Sequence, residues 1–228
     1  MHKVVSSAWL QEIGLQLGER ERLTHIPYGV ELDTFRLLAP PAERNPLRVG
    51  MLAHHWPFKG MEYGIEALRL VRDEFPKLDA VAFGAGPRPP SLPAWINYVQ
   101  NPTREQLVQL YNSLAIFLHT SIAEGWGLTG AEAIACGCAL VAADSGGVRD
   151  YAVEGKTALL VPPRDSASLA AGTITLIQDD RLRLELSSTG LQAIQAFTWD
   201  RAANRMEALL HEICDGPGRA RRHRPCSR

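Results

Sequence analysis

Cysteine is scarce in this chain and poorly placed to hold a metal. Four Cys stand among 228 residues, at positions 136, 138, 214 and 226, and no two have the Cys-x-x-Cys spacing of a zinc or redox site. Reduced thiols in an intracellular protein are the expectation. No apolar run approaches the roughly 20 residues of a membrane span, and the N-terminus lacks a stretch of signal-peptide length. There is no Gly-x-x-x-x-Gly-Lys-[Ser/Thr], which excludes a P-loop. An excess of one charge is also missing, with 24 Lys and Arg against 25 Asp and Glu. That balance hides a division, because residues 216–228 carry five Arg and no acid. The rest is an acidic body at −6, which argues against general nucleic-acid binding. What is present is an ordinary globular composition, 46% hydrophobic with 19 Gly and 15 Pro, excluding disordered, collagenous and disulfide-scaffold classes. A soluble, cytoplasmic protein is expected, peripheral at a membrane only through its Arg-rich tail.

Short β-branched runs alternate with longer helical patterns, the signature of an α/β domain with a parallel sheet flanked by helices. Strands are expected at 47–52, 78–83, 95–99, 115–119, 138–143 and 158–161. Between them Met61, Ile65, Leu68, Val71 and Phe75 recur every three or four residues, and Thr103 with Gln106 forms a capping box. Helices are also expected at 128–136, where Gly137 ends one, and near 166–177, 180–197 and 200–214. The first 45 residues break this rhythm: a helix near 8–17, a strand end and turn at His25–Val30, then Pro40-Pro41 and Asn45-Pro46 as a linker. The expected division is 1–45 as the remnant of a preceding domain's helix with a linker, 46–198 as a Rossmann-like domain, 199–214 as a closing helix, and 215–228 as a disordered basic tail.

In an open α/β sheet, ligands bind beyond the C-terminal strand ends. The loop after the 115–119 strand is the richest such place. Gly125 and Gly127 let the backbone approach a ligand, and the helix that follows directs free N–H groups and its positive end to the same spot. Glu124 lies in that loop and Glu132 in the first turns of the helix. Carboxylates beside an anion site are tolerable where they face hydroxyls, which suits a ligand carrying both phosphate and hydroxyl groups; a nucleotide-sugar has them. The simpler reading, solvated acids near a helix start, also fits the pattern. Gly84-Ala85-Gly86-Pro87-Arg88-Pro89 begins like a dinucleotide fingerprint, but Pro89 at its sixth position argues against one. Gly146-Gly147 reads either as a second ligand-facing loop or as a turn requiring Gly. Among the tryptophans, Trp126 in the cradle loop is the candidate for stacking on a ligand.

Glu124 and Glu132 stand eight apart in EGWGLTGAE, followed by EAIACGCALVA. This resembles the E-x7-E motif and the EAxACGxxxVA run of the retaining family-4 glycosyltransferases. VVSSAWLQEIG, HIPYGVELDTF, FKG at 58–60, DSGGVRDYAVEGKTALLVPPRD and FTWDRAANRMEALL resemble further motifs of that family in the same order. The resemblance spans nearly all of residues 4–214 and implies the C-terminal, donor-binding half of a GT-B fold. By resemblance Glu132 holds the ribose hydroxyls, Glu124 contacts the donor sugar, and Gly125 and the backbone N–H groups of Trp126, Gly127 and Leu128 form the cradle. Lys59 neutralises the diphosphate, and Gly84 and Gly86 leave room for the nucleotide. The implied catalytic set is Glu124, Lys59 and His54, where His54 stands in place of the family's usual Arg. No metal and no cofactor are expected beyond the nucleotide-sugar, since Lys59 and the helix N-terminus offset the leaving-group charge. Transfer to a sugar, glycan or lipid-linked acceptor with retention, as in polysaccharide biosynthesis, is the expected activity. The acceptor half of the fold is not recognisable here, so the rival expectation is a non-catalytic nucleotide-sugar-binding module that needs a separate acceptor-domain chain.

Overall fold

The computed structural model describes residues 2–19 and 22–215. Of the expected disordered tail, 215–228, Asp215 is the last residue of a helix and 216–228 lie outside the described residues. The chain opens with β1 (Lys3–Val5), α1 (Ala8–Gln16) and β2 (Leu23–His25), and β1 pairs with β2 in a small parallel sheet. The main body follows as β3 (Arg48–Leu52), α2 (Met61–Glu74), β4 (Asp79–Gly84), β5 (Asn97–Gln100), α3 (Arg104–Ser113), β6 (Ile116–His119), α4 (Leu128–Ala135), β7 (Ala139–Ala143) and β8 (Leu159–Val161). Three helices complete it: α5 (Ser166–Gln178), α6 (Asp180–Ile194) and α7 (Trp199–Asp215). The six strands β3 to β8 form one all-parallel sheet in the order β5-β4-β3-β6-β7-β8.

Alternating side chains decide this architecture. On β6, Ile116 and Leu118 point into the layer beneath α2 and α5 with Met51, Leu68 and Leu169, whereas Phe117 points the other way, toward Tyr111, Trp126 and Ile134. β4 and β7 divide in the same manner: Ala80 and Ala82 lie opposite Val81 and Phe83, and Ala139 and Val141 opposite Leu140 and Ala142. A strand buried on both faces must be apolar throughout, so these segments read as continuous runs. Helix starts follow local chemistry. The Thr103 hydroxyl accepts from Gln106 N while the Gln106 side chain accepts from Thr103 N, closing the capping box at α3.

The first 45 residues are fastened to this body. Asp150 accepts from Ala8 N at the start of α1 and contacts His25 Nε2 at 2.9 Å on β2. The buried Arg44 guanidinium donates to Leu114 O at 2.9 Å and to Cys136 O at 2.7 Å, which pins the segment before β3 against α3 and α4. The turn after β2 runs beside the turn before α7, where Val30 N donates to Phe197 O and the Tyr28 and Trp199 rings lie 5.7 Å apart. β1 was not foreseen in the sequence. Its three residues carry no periodicity, and only pairing with a strand 20 residues away defines it.

No helix of the described residues is long and apolar enough to cross a membrane. The buried Cys136 and Cys138 thiols are pushed up in pKa by burial, Cys138 to about 12, so both behave as core side chains and not as nucleophiles.

Candidate functional site

Strand order reverses between β3 and β6, and the loops leaving their C-terminal ends face each other across that switch point. The β3 loop carries a short 3-10 turn, Pro57–Lys59, ended by Gly60 at φ +60°. A Cβ on Gly60 would stand 2.2 Å from Thr120 O, so glycine is what allows the two loops to touch. Ile122 N donates to Phe58 O at 2.7 Å, and the Thr120 hydroxyl donates to Lys59 O at 2.8 Å. Held in this way, Lys59 Nζ reaches Glu124 Oε1 at 2.5 Å, and Ser121 Oγ donates to the same oxygen at 2.7 Å. Residues 65 apart in sequence thus form one ion pair, mostly buried on both sides. Burial would raise the Glu124 carboxyl, but His119, Lys59 and Ser121 together hold it below the usual carboxylate range.

Beyond Glu124 the loop is tied down from behind. Glu124 N donates to Ser145 O, and Gly147 N to Glu124 O; Ser6 Oγ donates to Gly125 O at 3.1 Å and the Tyr151 hydroxyl to Gly127 O at 2.6 Å. A Cβ on Gly147 would lie 2.3 Å from Gly125 O, which resolves the Gly146-Gly147 pair as a turn that admits the cradle loop. With the carbonyls engaged, the N–H groups of Gly125, Trp126, Gly127 and Leu128 have no acceptor among the described residues. They lead into the N-terminus of α4, where an open helix start suits an anion.

The indole of Trp126 is not available for stacking on a ligand. It is 1% exposed and packed edge-on to Tyr28 and Tyr151. The loop glycines let the backbone turn so that this bulky side chain fills the core, and Trp126 offers the cradle its N–H alone. Gly84 also has a packing explanation: a Cβ there would stand 2.4 Å from Ala53 O and 2.8 Å from the Tyr98 hydroxyl. Gly86 faces open space on a cleft of about 510 Å³ that also borders His54, His55, Met61 and Tyr98. His54 stacks on His55 at 4.7 Å, and burial, then His55 and Lys59, lower its pKa. The lowered pKa favours the neutral imidazole in the ligand-free chain.

Glu132 lies one turn into α4 and receives the Tyr111 hydroxyl at 3.2 Å. It borders a separate cleft of about 410 Å³ with Glu31, Pro102, Arg104, Leu107 and Leu128. Burial lifts the Glu132 carboxyl from 4.5 to about 7; the Tyr111 hydrogen bond opposes this, Glu31 adds to it, and Arg104 opposes it. A carboxyl raised in the folded state stabilises the fold fully below its unfolded value and loses that contribution as pH climbs through about 7. Between pH 4.5 and 8 the wild type should therefore lose about 3 kcal/mol more stability than Glu132→Gln, which urea denaturation at several pH values measures. Equal pH slopes for the two proteins would remove this assignment. Tyr111, Ser121 and His119 were not singled out from the sequence. Their signal is topological, since each lies on or beside β6 at the switch point. Among the described residues, no group of three or more His, Cys, Asp or Glu is placed to hold a metal ion.

A Rossmann-like sheet with an open helix N-terminus at its switch point defines an α/β ligand-binding domain of the kind found in GT-B glycosyltransferases. The chain belongs to the family described as Glycosyl transferases group 1, which residues 44–179 match. D-inositol 3-phosphate glycosyltransferase of Corynebacterium efficiens is 31% identical over 179 residues, covering 70% of this chain and 42% of that protein. The chain thus spans less than half the length of this relative. Sucrose-phosphate synthase from Thermosynechococcus elongatus shares the fold with a TM-score of 0.78 at 23% identity, over 93% of this chain and 58% of that one. HepE of Anabaena, solved in complex with UDP-glucose, superposes with a TM-score of 0.78 at 21% identity, over 92% and 63%. The C-terminal domain of LpcC, a group 1 family protein from Francisella tularensis, has a TM-score of 0.63 at 24% identity, over 74% and 97%.

Proposed function

We propose that this chain is the donor-binding half of a retaining glycosyltransferase that uses a nucleoside-diphosphate sugar. One observation carries the reading: the Lys59–Glu124 ion pair sits at the switch point beside a run of backbone N–H groups that lack protein acceptors. A diphosphate placed over the N-terminus of α4 receives these N–H groups and Lys59, while Glu132 accepts from the ribose hydroxyls and Glu124 from those of the sugar. As the bond from the anomeric carbon to phosphate oxygen breaks, negative charge grows on the departing diphosphate, where Lys59 and the helix N-terminus stabilise it. The acceptor hydroxyl attacks from the same face and passes its proton to that phosphate oxygen, so configuration is retained and no protein nucleophile is required. The protein contributes position and charge. No metal enters this scheme.

The acceptor, a sugar, glycan or lipid-linked hydroxyl, is assigned to a further domain, within a longer polypeptide or as a separate chain. An apolar groove supports this: Val4, Val5, Leu10, Ile26, Tyr28 and Met206 line it between the small sheet and α7. Transfer by the 228-residue chain alone is therefore expected to be weak or absent. Donor binding is testable directly by thermal unfolding with UDP, GDP, ADP and dTDP. At about 100 times its dissociation constant, the matching nucleotide should stabilise the chain by about 2.7 kcal/mol, raising Tm by roughly 5–10 °C. No shift with any of the four would refute the donor site.

A further inference from the structure

Among the described residues four buried side chains, Arg44, His119, Trp126 and Ser145, have a polar atom without a partner, and of these His119 is the one that ends the strand leading into the cradle loop. His119 ends β6, five residues before Glu124, and is 2% exposed. Its Nε2 is buried and has no hydrogen-bond partner. On the other side of the ring, Nδ1 lies 3.5 Å from the Thr129 hydroxyl. The ring packs under the first turn of α4 beside the Tyr151 hydroxyl: a Cβ on Gly127 would stand 2.9 Å from that hydroxyl and 3.2 Å from His119 Cε1, and one on Gly130 2.6 Å from the hydroxyl. Burial lowers the imidazole to about 4, with Glu124 pulling it up and Lys59 pushing it down, so the ring is neutral and within electrostatic reach of that ion pair. With the Thr129 hydroxyl as donor to Nδ1, the ring proton lies on Nε2, the tautomer that the proposal below requires. A buried N–H without an acceptor is costly, and each such group in a folded protein calls for an explanation.

Glu124 supplies the reason for a second state. Both its donors, Lys59 and Ser121, bind the same oxygen. Resting on the diphosphate reading above, Lys59 must turn from Glu124 to the phosphates. Glu124, whose side chain is only 14% exposed, would then lose its cationic partner at the moment it has to orient a sugar hydroxyl. We propose that His119 is a positioning residue for Glu124, whose Nε2–H takes over the carboxylate when an incoming diphosphate draws Lys59 away. A neutral donor serves this purpose because it fixes the carboxylate while leaving its negative charge in place.

The test is NMR of the 228-residue chain labelled with 15N-histidine, with His119 assigned by its absence in His119→Gln. In the free protein the ring should be the Nε2–H tautomer. On saturation with UDP its Hε2 proton should move downfield, as for a new bond to a carboxylate. Lys59→Met should produce the same movement with no nucleotide present, and Lys59→Met combined with Glu124→Gln should abolish it. Affinity for UDP should fall about tenfold or more in His119→Leu but only about threefold in His119→Gln, whose amide N–H replaces the donor. If UDP binds without moving the proton, and Lys59→Met leaves it unmoved, the exchange is wrong and the donor site stands. If no nucleoside diphosphate binds, the donor site fails, and Lys59→Met alone decides whether His119 can hold Glu124.

Discussion

Replacing Lys59 by Met is expected to weaken binding of the cognate nucleoside diphosphate by about 10- to 100-fold, the worth of one charge-assisted hydrogen bond to phosphate. Among the described residues the ammonium is the one cation placed against Glu124, and the two loops that hold it are joined by two hydrogen bonds and the close approach of Gly60 to Thr120 O. Removing it takes away the charge that a diphosphate needs while leaving the cradle N–H groups intact, so binding should weaken and not vanish. The substitution also leaves a mostly buried carboxylate without its ion pair, and the Glu124 carboxyl should rise from its depressed range. Calorimetric titration at two salt concentrations separates these effects. Wild-type affinity should fall with added salt more steeply than that of Lys59→Met, because one ionic contact is missing in the variant. Equal affinity of the two proteins would show that the diphosphate does not use Lys59.

Glu132→Ala carries the second large effect: the thermal shift produced by the matching nucleotide should disappear at ligand concentrations that give the wild type its full shift. Glu132 borders the cleft together with Glu31, Arg104 and Leu107, and its oxygen already faces the Tyr111 hydroxyl, so a second donor from a ribose completes its hydrogen bonding. Loss of the side chain also leaves the buried Tyr111 hydroxyl unpaired, so the variant's own stability needs to be measured first. Glu132→Gln keeps an acceptor for Tyr111 and should retain part of the nucleotide shift. Since the Glu132 carboxyl is raised to about 7, the gap in nucleotide affinity between wild type and Glu132→Gln should widen from pH 6 to pH 8 as the wild type ionises.

The sheet was legible from sequence because burial on both faces leaves an unmistakable mark. Runs such as Ile116–Leu118 and Ala139–Ala143 are apolar or small without interruption, and α3 carries its own capping box. The cradle was legible for a different reason: Glu124, Gly125, Gly127 and Glu132 lie within nine residues, so local spacing encodes local geometry. Features that depend on contacts across the fold were not. Lys59 entered only through resemblance, because nothing local indicates that it meets a residue 65 positions away. The orphaned ring nitrogen of His119, the Tyr111 partner of Glu132 and the Ser6 hydroxyl beneath the cradle all depend on strand order. Trp126 shows the converse error, in which an aromatic between two loop glycines was read as facing a ligand. Tertiary packing turned its ring inward against Tyr28, Tyr151 and Phe197.

The placement of the diphosphate is the claim on which the rest depends, and a crystal structure of the 228-residue chain with UDP, or with whichever nucleotide stabilises it most, tests it directly. The expected result is a β-phosphate at the N-terminus of α4 within hydrogen-bond reach of Leu128 N, with Lys59 turned from Glu124 toward it and the ribose against Glu132. A nucleotide seated elsewhere, with the Lys59–Glu124 pair intact and Glu132 free of ligand, contradicts the assignment.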